Sequence, residues 1–116
     1  MNISYQGIGA CCATFACENM SEGALVKVSA SGTVEACAEN NDFCGVVLAV
    51  GRDGKACTVQ LGGLVTVPYS GETAPALGYS ALAADDAGGV KAVTTGGRSH
   101  LVLEQDTGAG TVTIML

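Results

Sequence analysis

At 116 residues the chain is the size of one domain, too short for a multidomain enzyme. Hydrophobic residues make up 48% of it and glycine fills 17 positions, but only 14% is charged, 4% is aromatic and tryptophan is absent; a soluble domain carries roughly 25% charged residues and about 7% glycine. Eleven Asp and Glu against five Lys and Arg give a net charge of −6, and with Lys27, Arg52, Lys55, Lys91 and Arg98 scattered there is no basic run for a nucleic-acid partner.

The elements follow in chain order. Met1 to Glu22 stands apart, with Cys11, Cys12, Cys17, Tyr5 and Phe15, and reads either as an added strand or as an N-terminal arm reaching a neighbour. Leu25 to Ser29 partly alternates, Thr33 to Ala36 continues after a Ser31-Gly32 turn, and Cys44 to Val50 is an apolar run of buried-strand type. Gly51-Arg52-Asp53-Gly54 then divides that run from Ala56 to Leu61, a hairpin pattern. Leu64 to Val67 follows Gly62-Gly63 and stops at Pro68. Further strands are expected at Tyr79 to Leu82, Gly89 to Val93, Leu101 to Gln105 and Thr111 to Leu116, with at most a single helical turn at Ala74 to Leu77. The expectation is a mainly β fold of eight or more short strands in a small barrel or sandwich, spanning residues 23–116.

Residues 23–61 find an echo in residues 78–114. Gly23 matches Gly78 at an offset of 55, Val34 matches Val90 at 56, Val47 matches Val102 at 55 and Thr58 matches Thr111 at 53. A duplicated four-strand unit gives such offsets when turn lengths change, and two units pairing their open edges would close a barrel. Glycine-rich β sequences also repeat themselves by chance.

Six cysteines in a short chain suggest a disulfide scaffold, but Cys11, Cys12, Cys17, Cys37, Cys44 and Cys57 all lie in the first half. No basic residue precedes Lys27, so no secretory leader is expected, and a framework would reach both halves. The cysteines therefore read as small core residues in a reducing compartment, with one or more disulfides as the alternative. No C-x-x-C is present and His100 is the only histidine, so no metal or other cofactor is expected. Gly7-Ile8-Gly9-Ala10 lacks the third glycine of a dinucleotide loop and the βαβ unit around it. His100, in Arg98-Ser99-His100-Leu101, is the one base available to a cysteine nucleophile, and a histidine at the start of a strand is ordinarily exposed or loosely packed. Asp85-Asp86 reads as a turn whose acids hold backbone N–H groups rather than calcium. No catalytic residue is assigned, and an enzyme is not expected. The longest uninterrupted apolar run, Val46 to Val50, is far short of the roughly 18 residues of a membrane span, so the expectation is a soluble chain with no membrane partner.

Phe43-Cys44-Gly45-Val46-Val47-Leu48, Val59-Gln60-Leu61-Gly62-Gly63, Leu64-Val65-Thr66-Val67-Pro68, Ala84-Asp85-Asp86-Ala87-Gly88-Gly89-Val90 and Gly110-Thr111-Val112-Thr113-Ile114 together resemble the small head-decoration, or capsid-stabilising, proteins of tailed bacteriophages and prophages. The resemblance covers about Gly23 to Leu116 and rests on strand and turn motifs; the Cys11 to Cys17 segment lies outside it. It implies a non-enzymatic virion protein, made in the bacterial cytoplasm, that binds the outer face of the capsid as a homotrimer and stabilises it, with the major capsid protein as partner. Low charge and small side chains suit surface buried between subunits, and net acidity suits a place away from packaged DNA. The alternatives are a virion surface, tail or fibre module binding a host glycan or protein, and a small cysteine-dependent redox or metal protein.

Overall fold

The computed structural model describes residues 11–116; the first ten residues of the Met1 to Glu22 segment lie outside the described residues. Ten strands form within them: β1 Cys11–Ala16, β2 Leu25–Ala30, β3 Thr33–Ala36, β4 Gly45–Val50, β5 Ala56–Gly62, β6 Leu64–Pro68, β7 Gly78–Ala84, β8 Val90–Ala92, β9 Arg98–Asp106 and β10 Thr111–Met115. The fold is all-β, as the alternation and the glycine punctuation predict. Ala74 to Leu77 is not helical: Pro75 is buried there, and Gln105 Nε2 donates to its carbonyl at 2.6 Å.

The strands fall into two five-stranded sheets. The first, in the order β1-β3-β2-β4-β5, is a closed barrel. β1 runs antiparallel along β5 from Cys11 opposite Gly62 to Ala16 opposite Ala56, and a single parallel bridge from Ala16 to Thr33 joins it to β3. The part of the N-terminal segment that is described is thus a strand of this barrel. The second sheet runs β6-β10-β9-β7-β8. Its edges also meet, at a parallel bridge between Tyr69, just beyond β6, and Val90 of β8, where the Ser70 amide donates to the Val90 carbonyl at 2.9 Å.

Position for position the two sheets share one wiring, β1 to β5 answering β6 to β10. Val26 faces Ala36 and Val28 faces Val34 in the first; Leu82 faces Ala92 and Ala84 faces Val90 in the second, an offset of 56 throughout. Each sheet carries a β-bulge at the corresponding leucine, Leu48 in β4 and Leu103 in β9, since Val47 and Ala49 face Val59 and Thr58 while Val102 and Glu104 face Ile114 and Thr113. These registers align Val47 with Val102, as the sequence suggests, but Thr58 with Thr113 rather than with Thr111. The two hairpins have the same length, Thr58 lying nine positions after its partner Ala49 and Thr113 nine after its partner Glu104, so the offset of 55 continues unchanged across the turn.

Alternation of side chains across each strand divides the apolar residues between two cores. Cys17, Val26, Val34, Val47, Cys57 and Val59 fill the closed barrel. Leu25 and Val46, on the opposite faces of β2 and β4, join Val65, Val67, Leu82, Val90, Val102, Val112 and Ile114 in a second core that binds the two sheets together. Phe43, from the loop between β3 and β4, inserts into this second core. The same loop is fastened to β7, with the Asn40 amide donating to the Ala84 carbonyl and the Ala84 amide to the Asn41 carbonyl, both at 2.9 Å.

Only Gly63 separates β5 from β6, and its φ of +88° lets the chain pass from one sheet to the next without a linker. Both ends of the described chain return to this point. Cys11 pairs with Gly62, Met115 pairs with Leu64, and the Leu116 amide donates to the Gly63 carbonyl at 3.0 Å.

Candidate interaction surface

The inner faces of β6, β10, β9 and β7 point into the second core, so the alternate residues of these strands face outward. The ladder places four large apolar side chains side by side across that outer face: Tyr79 opposite Leu101, Leu101 opposite Met115, and Met115 opposite Leu64. Tyr79 is 76% exposed and Met115 is 45% exposed, while Leu101 between them and Leu64 beyond Met115 are half-buried. Leu77, just before β7, is also exposed. A row of this kind spanning four strands is not the scattered apolar exposure of an ordinary surface. Covering such side chains with a partner yields about 1.5–3 kcal/mol for each one fully buried.

None of these residues stands out in the sequence by chemistry. The outward parity of Leu101 and Met115 follows from Val102 and Ile114 facing in. Their coming together depends on the registers between strands far apart in the chain, and on the bulge at Leu103 that shifts β9 against β10.

His100 is not exposed or loosely packed, as its place at the start of a strand suggests, but 3% exposed. It faces inward with Val102, two residues on, and stacks on Phe43. Its Nδ1 lies 3.0 Å from the Met115 carbonyl and donates to it, and its Nε2 is buried without a partner. Burial lowers the imidazole pKa below its ordinary value, more than the Met115 carbonyl raises it, which keeps the ring neutral. Among the described residues no thiol is hydrogen-bonded to either nitrogen, and the ring packs as a core residue against Phe43.

The cysteines are divided. Cys17 and Cys57 are buried, Cys37 and Cys44 are half-buried, and Cys11 and Cys12 are exposed, so the reading of all six as core residues holds for the first pair alone. All six are free thiols. Burial pushes the Cys37 thiol up to about 11. Among the described residues no three of His, Cys, Asp and Glu are grouped to hold a metal ion. Asp85 is buried in its turn, and its carboxylate accepts from the amides of Ala87 and Gly89, each at 2.8 Å. That is a structural role, as the turn reading expects.

Among the described residues Lys27 pairs with the cross-strand Glu35 at 3.4 Å and Lys91 with Glu39 at 2.9 Å. A surface pocket of about 590 Å³ lies at the end of the closed barrel, lined by Cys17, Glu18, Ser29, Thr33, Glu35 and Lys55 among others. Its charges are mixed and it brings together no catalytic set.

No family model, no curated protein and no solved structure matches this chain.

Proposed function

We propose that this protein is a non-enzymatic structural component of a bacteriophage virion that binds the outer face of the assembled capsid and stabilises the shell. On this reading it acts as a homotrimer, its partner is the major capsid protein, and it is made in the bacterial host cytoplasm. The observation that carries the proposal is the exposed row Tyr79, Leu101, Met115 and Leu64, borne on a closed-edged, weakly charged β domain. The strand and turn motifs that resemble capsid-stabilising proteins support it from the sequence. Modest contacts of this size hold well when repeated around a shell, because each copy adds avidity without needing one large interface.

The test is to titrate the purified protein onto expanded shells that lack it. Saturable binding and a higher melting temperature of the particle are expected. Replacing Tyr79 and Met115 together by lysine should weaken attachment at least tenfold while the melting temperature of the free protein stays within a few degrees. Absence of wild-type binding to shells in every maturation state overturns the proposal. The second reading, a virion module for a host glycan, draws on the exposed ring of Tyr79, since aromatic faces stack on sugars; binding of the isolated protein to host cells, with none to shells, would favour it.

A further inference from the structure

Cys17 and Cys57 come together where the first barrel closes. Phe15 lies opposite Cys57 and Ala16 opposite Ala56, and the ladder runs one residue past β1, where the Cys17 amide donates to the Lys55 carbonyl at 3.0 Å. Cys17 is therefore on the same face as Phe15 and diagonal to Cys57, within side-chain reach. Both side chains belong to the barrel core, 3% and 2% exposed. Burial, and then the hydrogen bond and charge of Cys17, push the Cys57 thiol up to about 11, so Cys57 holds its proton beside the Cys17 sulfur.

The pair is packed but not sealed. Cys17 lines the pocket of about 590 Å³ at the barrel end, and Cys57 lines a second depression of about 220 Å³ bounded by Thr14, Val50 and Thr58. It also sits beside the weakest join of the barrel among the described residues, where β1 meets β3 through the Ala16–Thr33 bridge and the hydrogen bond from the Ala16 amide to the Gly32 carbonyl. Among the other cysteines, Cys37 and Cys44 lie near enough for Cys44 to help raise the Cys37 thiol, but both are only half-buried and they pack against different cores, Cys37 against the second and Cys44 against the first. Cys11 and Cys12 are exposed neighbours in one strand.

We propose that Cys17 and Cys57 are a redox site, a dithiol that a low-molecular-weight disulfide converts into a bond locking β1 to β5 beside the seam. The Cys17 thiolate attacks the disulfide of the oxidant, forming a mixed disulfide and releasing one small thiol. The Cys57 sulfur, giving up its proton, then displaces the second small thiol. Two protein thiols lose two electrons and two protons, and the S–S bond of the oxidant is reduced to two thiols. A chain made under reducing conditions and later held in an oxidising medium would be stapled after it has folded. The chemistry itself does not depend on the virion reading.

The experiment uses the whole chain with Cys11 and Cys12 replaced by serine, both being exposed, incubated with oxidised glutathione. The expected results are loss of two hydrogens from the intact mass, a single peptide link between Cys17 and Cys57, and a melting temperature higher by roughly 5–15 °C that dithiothreitol reverses. Cys17→Ala should abolish both the link and the shift. If that variant fails to fold, the peptide map of the parent protein decides alone. An unchanged mass, a stable glutathione adduct on Cys17, or a link involving Cys37 or Cys44 would overturn the proposal.

Discussion

The rings of Phe43 and His100 lie flat on one another, centroids 4.7 Å apart and planes within 7°. Phe43 comes from the loop between β3 and β4 of the first sheet and His100 from β9 of the second, so this stack is where the two halves grip each other. It also carries the largest fully buried side chain of the domain, in a core otherwise built mostly from valine. Phe43→Ala should cost about 3–5 kcal/mol of stability, because the cavity lies between two rigid sheets that cannot collapse into it. Urea denaturation measures this; a cost below about 1 kcal/mol would show that the sheets hold together without the plug.

Acid should weaken the fold before the carboxylates titrate. Burial lowers the His100 pKa, so the unfolded chain takes up a proton near pH 6.5 while the native ring stays neutral. Stability is then full above that pH and is lost as pH falls towards the folded-state pKa, by at most about 1.4 kcal/mol per pH unit. His100→Phe keeps a ring against Phe43 and removes the proton, and it should flatten the slope below about pH 6.5. An equal slope in that variant would place the acid sensitivity elsewhere.

Alkali should act through the thiols. Burial is the largest cause raising Cys37 and Cys57, each to about 11 from an ordinary 9.0, so the unfolded chain gives up those protons first. Their contribution is full below pH 9 and is lost as pH rises through 11. Unfolding measured in reductant should show less alkaline loss in Cys57→Ser than in the parent, compared each to its own value at neutral pH.

Gly45 opens β4 opposite Val26, and a Cβ there would collide with the carbonyl of Gln60 and the Val59 side chain. β5 approaches so closely because no side chain intervenes. Gly45→Ala should therefore cost about 1–3 kcal/mol, the usual range for overpacking. A melting temperature equal to that of the parent would mean the two strands can separate without loss.

Much of this fold can be read from the chain, since Leu25 to Ser29, Ala56 to Leu61 and Thr111 to Leu116 each alternate or run apolar between glycine turns. The strand Cys11–Ala16 is harder. Its side chains are mostly small and half or more exposed, so its hydrophobic pattern is faint, and only pairing with β5 makes it a barrel strand. The burial of His100 was within reach of the sequence, because it shares parity with Val102; its position beside charged and polar residues hides this. The row from Tyr79 to Leu64 lies further off, since it depends on three registers and one bulge that no local pattern encodes.

The meeting of Cys11 and Leu116 beside Gly63 makes residues 11–116, in their connectivity, nearly a ring cut at the waist. A short flexible bridge from Leu116 to Cys11 would close that ring, and a new opening at the exposed Arg52-Asp53 turn would leave every strand pair in place. The same geometry means that, in a chain shortened to residues 11–116, cargo fused to either end emerges beside the crossing from one sheet to the other rather than at opposite poles of the molecule.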